Sequence, residues 1–183
     1  MRKYLLFLLT LFPLLGSAQQ QEVEVQRIEW SMNFGASLFK DKFFDASAPR
    51  DGYVLDTELR YNLRQVPVDV GLMLNYDMRI MDDYAYDRVD WYDSNTFMAV
   101  SDYNFRRGRG VSCFIGLGVG VTSYYRWDTH KFTVMPRVGV EFFNFLRMTA
   151  AYQMGMGSKQ NLNVTLGLVI GGYRKRWRIK EKH

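Results

Sequence analysis

The 183-residue chain is short of several residue types that usually announce a function. It has one cysteine, Cys113, two histidines and four prolines. A single cysteine excludes an internal disulfide, so this is not a small stapled scaffold. Cys113 falls on an apolar strand face, where burial is its expected role. The two histidines, one of them the terminal His183, leave little material for a zinc centre or an imidazole-based active site. Beyond the first twenty residues no apolar run reaches membrane-helix length, and mean hydropathy is −0.23. No segment reads as an amphipathic helix.

Basic charge is also scarce where a nucleic-acid-binding fold would need it. Formal net charge is +5, but the last eleven residues, YRKRWRIKEKH, carry Arg174, Lys175, Arg176, Arg178, Lys180 and Lys182 against Glu181. With Arg2 and Lys3 at the other end, the body between them is left slightly acidic. Basicity therefore belongs to a tail and not to a domain, and nucleic acid is not an expected partner. The first residues, MRKYLLFLLTLFPLLGSAQQ, have the three parts of a secretory signal: Arg2 and Lys3, an apolar run from Tyr4 to Leu15, and the small residues Gly16, Ser17 and Ala18. The expected division is 1–18 signal peptide, 19–172 folded body and 173–183 basic tail.

What the body has in abundance is alternation. In VPVDVGLMLNYDMRI the residues Val66, Val68, Val70, Leu72, Leu74, Tyr76, Met78 and Ile80 form one apolar face. Pro67, Asp69, Gly71, Met73, Asn75, Asp77 and Arg79 form the other. Such period-two patterning is a strand, and it recurs over 27–38, 53–64, 96–105, 111–122, 131–143, 146–154 and 161–172. Eight strands are predicted. The intervening segments alternate long and short, including about fifteen residues over MDDYAYDRVDWYDSN and a tight junction at Phe143, Asn144 and Phe145. An up-and-down meander would place every long connection at one end.

Three features say that the apolar faces point outward. Trp, Tyr, Phe, Leu, Ile and Val fill the apolar set, whereas Gly35, Gly71, Gly116, Gly118, Gly120, Gly139, Gly167 and Gly171 lie in the charged set. The inside of an eight-stranded barrel holds only a limited side-chain volume, so the small residues belong inside. The apolar face from Val68 to Ile80 extends roughly 43 Å at about 3.3 Å per residue, enough to cross a bilayer at a tilt of about 40°. Aromatic residues such as Trp30, Tyr53, Tyr76, Tyr103, Phe132 and Tyr152 fall towards strand ends, as interfacial girdles require. The predicted fold is all-β, an eight-stranded antiparallel up-and-down transmembrane β-barrel. A soluble lipocalin-like barrel or sandwich is the alternative.

With GLGVGVTSYY, the run Pro136 to Glu141 and the closing strand NVTLGLVIGG, the chain resembles the small outer-membrane β-barrel family of Gram-negative bacteria, the OmpA/OmpX-like group. The resemblance implies residence in the cell outer membrane, with long loops extracellular and termini periplasmic. It also implies partners: outer-membrane lipid and lipopolysaccharide, and the barrel-assembly machinery during biogenesis. Members usually end on an aromatic residue, whereas here a basic tail follows Gly171 and Gly172, and Tyr173 would have to stand in.

The inward set is rich in charge of both signs: Glu29, Asp56, Glu58, Asp69, Asp77, Asp102 and Glu141 with Arg60, Arg79, Arg137 and Arg147. In so narrow a barrel these are expected to pair and close the lumen. A narrow porin-like channel for ions or small solutes is the second reading. A lipid A-modifying enzyme is a distant third and no enzymatic activity is expected, because nothing in the sequence ties Ser123 or Ser158 to His130. In the loop MDDYAYDRVDWYDSN, Tyr84, Tyr86, Trp91 and Tyr92 suggest contact with an extracellular protein or glycan, the bland alternative being a solvated loop. Its acidic residues lack the spacing of a calcium loop, so neither a metal nor another cofactor is expected. The tail suits a solvated periplasmic end or contact with anionic headgroups.

Overall fold

The computed structural model describes residues 27–39, 52–64, 66–83, 88–107, 110–124, 129–155 and 160–171. The signal-like start, the tail with Tyr173, and Tyr84 and Tyr86 lie outside these residues. Eight strands follow one another: β1 (Ile28–Phe39), β2 (Gly52–Asn62), β3 (Val68–Asp83), β4 (Arg88–Phe105), β5 (Val111–Tyr124), β6 (Thr129–Phe142), β7 (Leu146–Gly155) and β8 (Asn161–Ile170). Each pairs antiparallel with the next, and β1 pairs with β8, from Trp30 opposite Ile170 to Phe39 opposite Asn161. The sheet is a closed barrel without an edge, so its ladders pair backbone groups that hydrocarbon would leave unsatisfied.

Parity sets which side chain goes where. On β2 exposure alternates strictly except at Thr57, with Tyr53, Leu55, Leu59 and Tyr61 outside and Val54, Asp56, Glu58 and Arg60 inside. The same alternation puts Leu72 and Leu74 out and Met73 and Asn75 in on β3. The outer wall is thus a continuous apolar surface, far beyond the patches that soluble monomers expose. Three hydrogen bonds run along it. Trp30 Nε1 donates to Thr57 Oγ1 at 2.7 Å, Thr57 donates to the Ser31 carbonyl at 3.1 Å, and Ser101 donates to the Asp69 carbonyl at 3.1 Å. Cys113 is on this wall and exposed. Its apolar face points away from the barrel and not into a core, so the burial expected of it is not found.

The inside is the packed core, and it is polar. Gly116 and Gly139 are needed there: a Cβ on Gly116 would collide with the Asp102 carboxylate, and one on Gly139 with the Phe114 ring. Pro136 in mid-β6 lacks the N–H that its ladder position would use; the β6–β7 pairing runs from Val134 opposite Met154 to Arg137 opposite Ala151 with no partner recorded between.

The connections differ from the alternation read from sequence. At one end, β6 and β7 are joined by a tight turn in which Phe143 (φ 55°) and Asn144 (φ 53°) are both left-handed, closed by Phe145 N–H to the Phe142 carbonyl at 3.0 Å. That is a type I′ hairpin, whose twist matches the strands it joins. At the other end only 40–51 remains a long connection. The fifteen residues read as a loop are largely strand, because β3 runs on to Asp83 and β4 already begins at Arg88, with Ile80 opposite Trp91 and Arg79 opposite Tyr92. Tyr, Trp and Val favour strand, and a hairpin that outruns the apolar band has no single greasy face to reveal it.

Candidate functional site

The lumen is arranged in tiers. Lowest, towards the short-turn end, Arg60 on β2 lies 3.1 Å from Glu29, 3.6 Å from Glu58 and 3.7 Å from both Asp69 and Glu141. A cavity of about 10 Å³, room for one water, opens beside it. Next comes Arg137 on β6, which crosses the lumen. Its Nη1 and Nη2 donate to Glu58 on β2 at 2.7 and 2.8 Å, and its Nε and Nη2 donate to Asp102 on β4, both at 2.7 Å. Arg147 on β7 adds a bond to Asp102 at 2.5 Å and one to Glu141 at 3.5 Å, with its guanidinium carbon 3.7 Å from the centre of the Phe114 ring. Three arginines thus tie β1, β2, β3, β4, β6 and β7 together, Arg60 through ion pairs and Arg137 and Arg147 through charge-assisted hydrogen bonds, with Arg137 forked on both Glu58 and Asp102.

Above them, one wall is apolar: Met73, Met98, Val100, Met135 and Ala151 form a buried cluster. Met73, the apolar residue in an otherwise polar face of β3, is one member of this belt and also receives a 3.7 Å contact from Arg137 Nη1 at its sulfur. Across from the belt, Asn33 donates to Asp56. In the top tier Asp77 accepts from Ser37 at 2.9 Å and Asn161 at 3.0 Å. Gln153 donates to Thr96 at 3.1 Å and Thr122 at 2.9 Å, and Thr122 is bonded to Thr133 at 2.7 Å. A second cavity of about 10 Å³ lies between the belt and the Arg137 bridge. Among the described residues neither cavity is wide enough to be a pore.

The sequence-predicted lumen set is therefore split by the structure. Glu29, Glu58, Arg60, Asp69, Asp102, Arg137, Glu141 and Arg147 come together as one ionic cluster. Asp56 and Asp77 are buried elsewhere, on amide and hydroxyl partners. Arg79, Trp91 and Tyr92 are placed by backbone only, on the upper part of the β3–β4 hairpin. Sequence reading missed the belt, although Met98, Val100 and Met135 share the inward parity that singled out Met73. It also missed a pairing at the long-loop end. Ser123 on β5 is opposite His130 on β6, and Ser123 Oγ is hydrogen-bonded to His130 Nδ1 at 2.8 Å. His130 is thus on a strand and joined to a serine, a link with no sequence signal.

No protein-family model matches the chain, and no curated protein does. Among solved structures it is similar to Neisserial surface protein A, with a TM-score of 0.55 at 9% identity over 81% of this chain and 99% of that one. It also matches the outer membrane protein Ail of Yersinia pestis (TM-score 0.45, 16% identity, 78% of this chain and 99% of that one). A third match is the outer membrane enzyme PagL (TM-score 0.46, 15% identity, 78% and 98%). At these identities the likeness is one of fold.

Proposed function

We propose that this chain, which has the fold of the small eight-stranded outer-membrane barrels, is a non-conducting protein of the bacterial outer membrane that acts through its outer wall and its projecting hairpins. The observation that carries this reading is the Arg137 bridge between Glu58 and Asp102, strands apart across the lumen. Opening it would strand buried charges at a cost of about 3–5 kcal/mol, so thermal fluctuation alone would rarely conduct an ion. The short turns and both termini then face the periplasm, and segment 40–51 and the β3–β4 hairpin face the exterior. Outer-membrane lipid and lipopolysaccharide contact the wall, the barrel-assembly machinery inserts it, and an extracellular protein or glycan meets Tyr84, Tyr86, Trp91 and Tyr92.

Planar-bilayer recording of the refolded barrel tests the sealed lumen. Silence at all voltages is expected for the native protein. Clear single-channel steps that scale with salt would replace this reading by the porin-like channel.

A further inference from the structure

Leucine and isoleucine crowd the outer wall, yet among the described residues neither type is buried. The flexible apolar side chains inside are all methionines: Met73, Met98 and Met135, 3, 0 and 2% exposed. They reach one level of the lumen from three strands. Met73 on β3 stands opposite Met98 on β4, and Met135 on β6 stands opposite Gly118 on β5. Gly118 puts no side chain between them, so Met98 and Met135 approach each other over β5. A Cβ there would come within 3.1 Å of Met98 Sδ and 3.6 Å of Met135 Cβ. Met73 Sδ takes a 3.7 Å contact from Arg137 Nη1, which uses one sulfur lone pair and leaves the other. Two further features suit a cation. The cavity of about 10 Å³ beside Arg137 is lined by Met73 and Met135 together with Asp56 and Glu58. Asp56 is buried against Asn33, and among the described residues no arginine or lysine is paired with it. Buried carboxylates outnumber buried guanidiniums in the lumen, so a positive charge is favoured there.

We propose that Met73, Met98 and Met135 form a thioether site for one soft monovalent cation, Cu(I), inside the barrel. Thioether sulfur is an uncharged, polarizable donor that suits Cu(I), whereas oxygen ligands suit magnesium, calcium and manganese. Among the described residues no group of His, Cys, Asp or Glu is arranged to hold a metal ion. The sulfurs are therefore the whole donor set, and the carboxylates of the cavity act at a distance by charge alone. Leucine would fill the belt at similar volume, but only methionine brings a lone pair. The belt lies between the Arg137 bridge and the hydrogen-bonded tier of Gln153, Thr96 and Thr122. The ion is thus expected to enter as the strands close, and its binding then adds to the stability of the closed barrel. The inference goes beyond the sealed-lumen reading, and a conducting barrel would hold the ion equally.

The full-length protein is used with Cys113→Ala, which removes the exposed thiol that would compete for the metal. It is refolded into detergent micelles in chloride-free buffer in two arms, one with Cu(I) kept reduced by ascorbate and one with Ag(I) as a redox-inert stand-in. After washing with excess free methionine, bound metal is counted by mass spectrometry. About one ion for each folded barrel is expected in either arm, with sulfur neighbours alone in the metal-edge X-ray absorption spectrum. Met73→Leu, Met98→Leu and Met135→Leu are each expected to lower retention at least about 10-fold. The rise in urea midpoint that the metal produces is expected to vanish with them. Heat-modifiable gel migration shows which variants are folded, and exchange of methionine for leucine keeps the volume. A folded parent that retains neither metal overturns the proposal. So do nitrogen or oxygen neighbours in place of sulfur, a reading that needs no variant. Retention left unchanged by any of the three folded variants overturns it as well, because the site needs all three sulfurs.

Discussion

The Phe114 ring occupies the volume that a side chain on Gly139 would need, and Arg147 rests on the ring at 3.7 Å. A side-chain-free position on β6 thereby fixes the height at which an arginine from β7 reaches Asp102. Gly139→Ala drives a methyl group into the ring and into the Met148 carbonyl. A loss of about 1–3 kcal/mol is expected in urea unfolding from lipid vesicles. Gly110→Ala, with only the edge of the Phe143 ring at 4.0 Å, is expected to stay within about 0.5 kcal/mol.

Removing the central guanidinium is expected to be the most damaging inward change. Arg137→Ala leaves Glu58 and Asp102 buried together, at a cost of about 3–5 kcal/mol. The triple variant R137M/E58Q/D102N removes the charges as a set and is expected to recover most of that loss. A single variant as stable as the native barrel would show that the bridge contributes little.

The alternation of Val68 to Ile80 was enough to establish strand and face, because one side is an exposed apolar wall and the other a crowded polar lumen. Where that contrast ends, so does the signal. Residues 81–83 and 88–95 continue as strand beyond the apolar band with no parity to mark them. Register is equally silent in sequence. Nothing local says that Ser123 stands opposite His130, or that Glu58 and Asp102 share one arginine, since those meetings depend on how far each strand is staggered around the barrel. The methionine belt was legible in principle, residue by residue, once inward parity is applied to β4 and β6 as well as to β3.

Depth along the wall should govern the response to charge. Leu117 is 48% exposed and halfway along β5, whereas Val111, 45% exposed, is at its short-turn end. Leu117→Arg is expected to cost about 2–4 kcal/mol and Val111→Arg about 0–1 kcal/mol, measured by unfolding from vesicles. Equal penalties would argue against a bilayer around this wall.

Cys113 offers a chemical check on the same surface. It is exposed, and on its strand it stands between Phe105 of β4 and Val140 of β6. In vesicles an apolar maleimide is expected to label it and a charged one to fail, with both reacting after unfolding in urea. Rapid labelling by the charged reagent in intact vesicles would place the residue in water.

In the belt, Met98 is fully buried. Met98→Ala should leave a cavity costing about 2–5 kcal/mol, while Met98→Leu should cost less than about 1.5 kcal/mol, both read from the urea midpoint.

Closure of β1 onto β8 also sets a schedule. Trp30 is near the front of the described chain and its ladder partner, Ile170, near the back, so the first strand must wait for nearly all the others before half of its hydrogen bonds can form. Its free edge is a template for any passing strand during that interval, and long-range pairing of this kind is slow. Folding is thus expected to finish in one late, cooperative step, with the first and last strands guarded from stray partners until they meet.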